Sequence, residues 1–204
     1  LCIQHDVADE IIAMLIGRMK ELVIGDSSRL ETDVGPVIDP AAVEMLQAYV
    51  DSVRDHVLFG CRLNHSHDAG CYFPPRLVEL DRASELTREI FGPVLHVVRF
   101  DSAEIDTLVD ELNAIGYGLT LGVQSRVSSF SRYIEEHARV GNIYVNRDMI
   151  GAVVGVQPFG GLGLSGTGPK AGGPHYLQRF GVEQTITVNT AAVGGNVDLL
   201  AIDD

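Results

Sequence analysis

Helical spacing of hydrophobic residues marks the first quarter of the chain. Ile11, Leu15 and Met19 recur every four positions, which places them on one stripe of an α-helix. Asp6 precedes this stripe as a candidate N-cap, and Gly25 follows it as a candidate terminator. Beyond a polar turn, the same spacing predicts a second helix, whose buried positions are Val43, Leu46, Val50 and Val53.

The second half of the chain alternates between strand and helix patterns. The strand-like sequences VLHVVRF, LTLGVQ and GNIYVN begin at Val94, Leu119 and Gly141. Helical patterns separate them, and Asp101 and Glu104 have the spacing of a capping box that opens the first of these helices. A βαβαβ order with short connections is typical of parallel strands and right-handed crossovers. The sequence therefore predicts an α/β fold with a mostly parallel sheet.

Composition narrows the function classes. The chain has 204 residues, of which 46% are hydrophobic, and a formal net charge of -13 at pH 7. A nucleic-acid-binding surface needs clustered Lys and Arg, so this charge argues against one. The three cysteines, an odd number, fit a reducing compartment such as the cytoplasm better than a disulfide framework. The chain starts at Leu1 without a signal-peptide pattern, and we expect it to be part of a longer protein.

Two cysteines and two histidines lie close together where the strand-like sequences VLFGCRL and CYFPPRLVEL are joined by a loop. They are Cys61, His65, His67 and Cys71. Two thiolates and two imidazoles could hold a tetrahedral zinc ion, but their spacing is not that of a zinc finger or ribbon. Cys61 falls in an apolar strand, where a free thiol packs as a small hydrophobic residue, and the histidines share the polar loop NHSHDAG. We therefore predict no metal site and solvated histidines.

Cys2 and His96 are the other candidates for chemistry. A nucleophilic thiol is expected at a turn or a helix N-terminus beside a base, whereas Cys2 lies between Leu1 and Ile3 in a strand-like sequence. His96 alternates with valines in VLHVVRF, which favours a strand residue whose ring has hydrogen-bond partners. We assign neither residue a catalytic role.

Glycine and proline concentrate between Gly141 and Pro174. In a helix interior glycine costs about 1 kcal/mol and proline about 3 kcal/mol relative to alanine. Such a segment therefore favours close backbone approach to a ligand or to another chain. Its GLGLSG string (161–166) matches the G-x-G-x-x-G fingerprint of dinucleotide-binding loops, but prolines flank the string and no helix pattern follows it. We interpret that match as accidental.

The sequence EIFGP, from Glu89 to Pro93, carries a stronger signal. Its Gly-Pro pair favours a turn, which presents the Glu89 carboxylate and the Phe91 ring just ahead of a buried strand. A carboxylate can bind the hydroxyls of a ribose, and an aromatic ring can stack on a flat heterocycle. The alternative is a turn with an incidental glutamate.

Five segments carry a family resemblance: DVGPVID (33–39), EIFGPV (89–94), YGLTLGV (117–123), GNIYVN (141–146) and QPFGGLGLSGTGPKAGG (157–173). In these segments, which extend in order over nearly the whole chain, the sequence resembles the catalytic domain of the aldehyde dehydrogenase superfamily. Its IGAVVGVQPFGG, SGTGPKAGGPHYL and VNTAAVGGN sequences are similar to the glutamate semialdehyde (pyrroline-5-carboxylate) dehydrogenase part of bacterial proline utilisation A. The resemblance implies a three-layer α/β/α catalytic domain.

The resemblance also implies roles for five residues. Glu89 would hydrogen-bond the nicotinamide ribose of NAD, and Phe91 would pack beside the nicotinamide. Gly151 and Ala152 would bind the α-carboxylate of glutamate semialdehyde through their backbone N–H groups. Phe159 would line the aldehyde channel.

Other parts of the family's machinery are expected outside this chain. In this family a cysteine thiolate attacks the aldehyde, hydride passes to NAD, and glutamate-activated water hydrolyses the thioester. The resemblance places the nucleophilic cysteine a few residues before the position of Cys2, and the general base, the oxyanion asparagine and the NAD-binding half also outside. We therefore expect no catalytic residue here and no activity from the chain alone. Residues 1–185 would be the C-terminal portion of the catalytic domain, and residues 186–204 a strand and tail for oligomerisation.

The favoured interpretation is an NAD-dependent L-glutamate γ-semialdehyde dehydrogenase of proline catabolism. Its longer parent would act as a cytoplasmic homo-oligomer, at most peripheral at the inner membrane, without nucleic-acid contact through this segment. FAD would be a cofactor only if a proline dehydrogenase domain precedes the segment. Two alternatives stay open: a non-catalytic scaffold or oligomerisation module, and an aldehyde dehydrogenase with another substrate preference.

Overall fold

The computed structural model describes residues 1–189 and divides them into two compact units. The first unit comprises residues 1–150 and 161–167, and the second comprises residues 151–160 together with the chain from residue 168 onward. The proposed division at residue 185 between a catalytic domain and a tail stays a prediction. No helix within residues 1–189 is both long enough and apolar enough to cross a membrane.

A four-stranded sheet organises the first unit. Its strands are β1 (Cys2–Gln4), β2 (Val57–Gly60), β3 (Arg76–Leu80) and β4 (Val94–Phe100). The strand order is β1-β4-β3-β2, with β4 parallel to both β1 and β3, and β2 antiparallel to β3. The two central strands supply the fully buried residues Leu77 and Val97. This mostly parallel sheet among helices confirms the predicted α/β class.

Helix α1 (His5–Lys20) packs on this sheet through Ala8 and Ile12. Both residues belong to a buried cluster that also contains Ile3, Leu77 and Val97. The predicted stripe is not the buried face: Ile11 and Met19 are only partly buried against that cluster, and Leu15 does not belong to it. Burial of one aliphatic side chain contributes about 1.5–3 kcal/mol, so the face that carries Ala8 and Ile12 holds the helix in place.

Helix α2 (Pro40–Ser52) starts with a well-formed cap. The Oδ1 atom of Asp39 accepts a hydrogen bond from the Ala42 N–H at 2.8 Å, and Pro40 suits the first helical position because its fixed φ is already helical. Leu46 and Val50 are buried with Phe73. Of the four predicted positions, Leu46 and Val50 are therefore confirmed as buried, and Val43 packs against the same cluster. Val53 lies after the end of the helix and packs against a different cluster.

The turn that contains Glu89 sits directly on α2. Leu46 is fully buried, and both of its methyl carbons would lie 2.5 Å from a Cβ atom at Gly92. Atoms essentially never approach that closely, so a side chain at residue 92 would force Leu46 to shift within the core. Ile90 completes this contact because it packs against the buried cluster around Leu46.

Two small sheets follow in the first unit. The remaining elements are α3 (Ile105–Ala114), β5 (Tyr117–Gly118), β6 (Thr120–Val123), α4 (Ser128–His137), β7 (Asn142–Val145) and β8 (Leu162–Gly163). Strands β6 and β7 are parallel, as predicted, and β5 pairs with β8 in antiparallel orientation. Val109, Val123 and Ile134 form the buried cluster that joins β6 and β7 to α3 and α4. Within the described residues β6 pairs with β7 alone and does not extend the larger sheet.

Predictions of three helix ends were wrong. Helix α1 begins after Gln4 rather than after Asp6, and it ends at Lys20 before reaching Gly25. Asp101 and Glu104 form no capping box, since neither side chain makes a cap hydrogen bond. A backbone bond of 2.9 Å from the Glu104 N–H to the Asp101 carbonyl oxygen closes a 3₁₀ turn there instead.

The predicted strand TITVNT does not form within the described residues. Residues 182–189 have no regular secondary structure and are exposed. A strand needs a neighbour for its backbone N–H and C=O groups, and no strand between residues 1 and 189 pairs with this segment. Thr190 and the tail that follows lie outside the described residues.

The cysteine and histidine segment brings together no potential metal-ligand group within residues 1–189. His65 is exposed, as predicted, and lies 3.3 Å from Asp68, whereas His67 is buried, contrary to prediction. Its Nε2 atom lies 2.9 Å from the Ile24 carbonyl oxygen, and its Nδ1 atom lies 3.1 Å from backbone atoms of Asn64. His67 can be buried because protein groups replace its water partners.

The GLGLSG string has none of the geometry of a phosphate-binding loop. Its first half contains β8, and no helix starts at Gly166: the next one in the described chain is a short 3₁₀ helix at Leu177–Phe180. A dinucleotide fingerprint needs a helix whose N-terminus faces the pyrophosphate. The prediction that the match is accidental is confirmed.

We expect the contact between Leu46 and Gly92 to behave as a size-matched pair. Leu46→Ala should lower the free energy of unfolding by about 2–5 kcal/mol because it leaves a cavity. Gly92→Ala should lower it by about 1–3 kcal/mol because the added methyl group overpacks the contact. The double variant should lose less than the sum, since the new methyl group enters the space that Leu46 vacated. Urea unfolding of the four proteins, followed by circular dichroism, measures this coupling.

Gly17→Ala is the matched control for these substitutions. Gly17 lies inside α1, and no heavy atom comes within 4 Å of a Cβ atom placed there. This change should raise the free energy of unfolding by about 0.5–1 kcal/mol. Additive losses in the Leu46 and Gly92 variants would contradict the size-matched contact.

Candidate cofactor and substrate site

The EIFGP turn presents Glu89 and Phe91 to solvent. Ile90 packs into the core, and the residues on either side of it face outward, so Glu89 is exposed and Phe91 is 78% exposed. The Arg76 N–H donates to the Pro93 carbonyl oxygen at 2.9 Å, which ties the turn to the first residue of β3. The sequence prediction that this turn displays a carboxylate and an aromatic ring is confirmed.

These two side chains offer complementary contacts to a flat, sugar-linked ligand. The Glu89 carboxylate can accept hydrogen bonds from the neighbouring hydroxyls of a ribose. The Phe91 ring can stack on a heterocycle, because most of its surface is open and no core residue has to move. The residues therefore fit the ribose and nicotinamide of NAD.

The second unit carries the other three predicted site residues. Gly151 has a φ of +98°, a conformation that L side chains rarely adopt, and no heavy atom lies within 4 Å of a Cβ position there. Backbone conformation rather than crowding therefore requires glycine at this position. Ala152 is exposed beside it, so two consecutive peptide groups lie at the surface of this unit.

Two antiparallel bridges shape the segment that follows Ala152. Val153 and Gln157 exchange backbone hydrogen bonds of 3.1 and 2.7 Å, and Phe159 and Ala171 exchange bonds of 3.0 and 2.9 Å. The second bridge ties Phe159 to the later glycine-rich stretch and leaves its ring half-buried. A ring held in this way can line a channel for a small aliphatic chain.

The five predicted site residues thus form two local groups. Glu89 and Phe91 lie together in the first unit, and Gly151, Ala152 and Phe159 lie together in the second. Within each group the backbone is fixed by hydrogen bonds, by core packing or by a positive φ.

Asn146 and Asp148 form hydrogen bonds that fix the backbone just before Gly151, and the sequence analysis did not predict these contacts. Asn146 has a φ of +54°, and its amide makes two 2.9 Å hydrogen bonds with the backbone of Ser125. Asp148 accepts a hydrogen bond of 3.1 Å from the Ile150 N–H. An asparagine directly after a strand could have indicated the first of these contacts, since asparagine tolerates the left-handed conformation.

The thiols and the strand histidine are not arranged for nucleophilic catalysis. Burial raises the pKa of the Cys2 thiol in β1, and partial burial raises the pKa of Cys61, whose Sγ atom donates to the Met19 carbonyl oxygen at 3.3 Å. A raised pKa leaves less reactive thiolate at neutral pH. The Nε2 atom of His96 lies 2.7 Å from the Tyr49 hydroxyl, and burial lowers the pKa of His96. Cys2 and His96 are therefore packed residues, as predicted.

Known proteins resemble the chain over most of its length. The sequence profile of the Aldehyde dehydrogenase family matches residues 1–186. The Bifunctional protein PutA of Klebsiella aerogenes is 52% identical over 187 residues, which make up 88% of this chain and 14% of that protein. The 1-pyrroline-5-carboxylate dehydrogenase 1 of Halalkalibacterium halodurans is 35% identical over 178 residues, 86% of this chain and 34% of that protein.

Solved structures give the same result for the fold. A crystal structure of bifunctional proline utilization A has a TM-score of 0.85 at 52% identity, over 95% of this chain and 20% of that one. A 1-pyrroline-5-carboxylate dehydrogenase from Thermus with bound NAD has a TM-score of 0.78 at 31% identity, over 88% of this chain and 35% of that one. The chain spans only 14% and 34% of the two curated relatives named above. Because the family profile covers nearly all of its residues, this chain belongs to the aldehyde dehydrogenase family.

Proposed function

We propose that this chain is the C-terminal catalytic-domain segment of an NAD-dependent L-glutamate γ-semialdehyde dehydrogenase, which oxidises glutamate semialdehyde to glutamate in proline catabolism. The observation that carries the proposal is the EIFGP turn, which displays a carboxylate and an open aromatic ring on a rigid base. Identity of 52% to a PutA protein and of 35% to a 1-pyrroline-5-carboxylate dehydrogenase supports the substrate class. The activity belongs to a longer protein that contains this chain.

The chemistry divides between this chain and the remainder of the longer protein. NAD would accept the hydride that leaves the aldehyde carbon. Glu89 would accept hydrogen bonds from the ribose hydroxyls, and Phe91 would shield one face of the nicotinamide from water. The nucleophilic cysteine, the general base, the oxyanion asparagine and most of the NAD site belong to the remainder, so the 204-residue chain alone is inactive.

Gly151 and Ala152 would supply the specificity for a charged aldehyde. Successive backbone N–H groups next to a residue with positive φ can form a concave site for an anion, and Gly151 has that conformation. The α-carboxylate of glutamate semialdehyde would bind there, while Phe159 would line the path of its aliphatic chain. An aldehyde without a carboxylate would gain nothing from this contact.

In the longer protein, Glu89→Gln should lower kcat/KM for NAD about tenfold. A neutral amide would replace a charge-assisted hydrogen bond to the ribose, a loss of about 1.4 kcal/mol. Initial rates of NADH formation at varied NAD concentration measure the effect. Glu135→Gln, which neutralises an exposed carboxylate on α4, is the control and should leave kcat/KM unchanged. Equal losses in the two variants would show that Glu89 has no specific contact with NAD.

Gly151→Asp should lower kcat/KM for glutamate semialdehyde at least about a hundredfold, because juxtaposed like charges cost several kcal/mol. Gly151→Asn should cost much less, since asparagine matches aspartate in size and in tolerance of positive φ but carries no charge. An uncharged aldehyde of equal length should be oxidised equally well by both variants. NADH formation with the two aldehydes measures these differences.

Gly155→Asp is the positional control for this experiment. Gly155 also has a positive φ, of +77°, and no heavy atom lies within 4 Å of a Cβ position there. This variant should retain most of its turnover of the semialdehyde. Undiminished turnover in Gly151→Asp would refute the carboxylate anchor, and equal losses with both aldehydes would favour an aldehyde dehydrogenase of another substrate preference.

The longer protein is proposed to be a cytoplasmic homo-oligomer. Its cysteines within the described chain are free thiols, as in a reducing compartment. Ile186 and Val188 are two positions apart and are 75% and 70% exposed, which suits a segment that forms a strand by pairing with another subunit. FAD would be required only if a proline dehydrogenase domain precedes this segment.

Light scattering on the concentrated 204-residue chain should therefore show a species larger than the monomer. Replacing both Ile186 and Val188 with lysine should shift it to the monomer, because charged side chains block edge pairing. Val154→Lys, at another residue that is 84% exposed, should leave the assembly unchanged. A purely monomeric wild-type chain would remove the support for this element, and with it the alternative of a scaffold module.

A further inference from the structure

A surface cleft of about 510 Å³ lies between the end of α1 and the segment that follows β2. Small-molecule sites occupy roughly 300–1,000 Å³, so the volume is sufficient for a ligand. The apolar part of the lining consists of Met19, Leu22, Ile24 and Phe59. None of the residues that we assign to NAD or to the semialdehyde lines this cleft, so it is independent of the proposed function.

Hydrogen bonds between its walls fix the shape of the cleft. The Cys61 thiol donates to the Met19 carbonyl oxygen at 3.3 Å, and the Nε2 atom of His67 lies 2.9 Å from the Ile24 carbonyl oxygen. Met19 and Phe59 also pack against the buried cluster beneath α1. Because the walls are already ordered, a ligand would not have to organise them on binding.

The polar part of the lining is cationic. Lys20 and Arg62 line the cleft, which contains no Asp or Glu, and neither forms an ion pair with another residue in the described chain. This is an exception in a chain whose net charge is -13. A second cleft, beside α3 and α4, differs from it in charge, since it is lined by three carboxylates (Asp106, Asp110 and Glu136) and one arginine (Arg139).

Local contacts also hold the hydrogen-bond donors of this cleft in place. The Nζ atom of Lys20 lies 5.9 Å from the centroid of the Phe59 ring, so the charge is held beside the apolar wall. The Oδ1 atom of Asn64 accepts hydrogen bonds from the N–H and hydroxyl of Ser66. The amide NH₂ group of Asn64 is then left as a donor without an acceptor among the described residues. Two cations and one neutral donor thus accompany an apolar wall.

We propose that this cleft binds a small monocarboxylate with an aromatic or branched aliphatic body. The carboxylate would bridge Lys20 and Arg62, and the body would lie against Met19 and Phe59. Inorganic phosphate would leave the apolar wall unused, and a neutral hydrophobic molecule would leave both cations unpaired. The two halves of the lining together select an amphiphilic anion.

Labelling the 204-residue chain with methyl-¹³C methionine tests this proposal directly. Met19 lines the cleft, whereas the other methionines, Met14, Met45 and Met149, do not. Addition of 4-tert-butylbenzoate should shift the Met19 methyl resonance with a Kd in about the millimolar range, as expected for a ligand of this size. The other three resonances should not move. The uncharged analogue 4-tert-butylbenzyl alcohol should bind at least about fivefold more weakly, and phosphate should leave Met19 unshifted.

Variants that remove one positive charge distinguish specific binding in this cleft from non-specific binding of the benzoate to the protein surface. Lys20→Gln and Arg62→Gln should each weaken binding of the benzoate at least about threefold. Arg126→Gln, which removes an exposed cation that does not line the cleft, should not weaken it. The Met45 resonance reports whether each variant is folded, because Met45 packs against the core cluster around Leu46.

Four results would overturn the proposal. They are an unshifted Met19 resonance at about 10 mM benzoate, equal shifts of all four methionines, a phosphate effect as large as that of benzoate, and unchanged binding in the Lys20 and Arg62 variants.

Discussion

The contact between Leu46 and Gly92 connects the buried core to the surface where a cofactor can bind. Since a Cβ atom at Gly92 would lie 2.5 Å from the Leu46 methyl groups, helix α2 presses directly on the backbone of the EIFGP turn. Ile90 adds a side chain to that contact, and the hydrogen bond from Arg76 to Pro93 joins the turn to the central sheet. The backbone that carries Glu89 and Phe91 is therefore anchored to the core, which places both side chains at a defined position.

Two glycines of the proposed site are required for opposite physical reasons. At Gly92 the neighbouring side chain leaves no room for a Cβ atom. At Gly151 the space is open, but the φ of +98° disfavours every residue with a side chain. Gly92 is therefore needed for close packing, and Gly151 is needed for its positive φ. A glycine-rich sequence alone does not distinguish these two requirements.

The sequence predictions were mostly correct where an interaction joins residues close together in the sequence, and they mostly failed where it joins distant residues. The existence of α1 and α2, the burial of Leu46 and Val50, and the display of Glu89 and Phe91 were predictable, because each depends on residues a few positions apart. Two other contacts could not be predicted, because each joins residues about forty positions apart: the close packing of Leu46 on Gly92 and the burial of His67 against Ile24. The missing strand at residues 185–189 has a related cause, since its formation depends on a partner that the pattern of the segment cannot specify.

Strand β1 pairs with β4, and this has a consequence for synthesis. Ile3, Ala8 and Ile12 complete their buried cluster only when Leu77 and Val97 are present. A ribosome that adds about 5–20 residues per second needs roughly 5–20 seconds to proceed from the first group to the last. During that interval the apolar face of α1 lacks the partners that Leu77 and Val97 later supply. The packing of α1 against these two strands can therefore begin only after β3 and β4 have been synthesised.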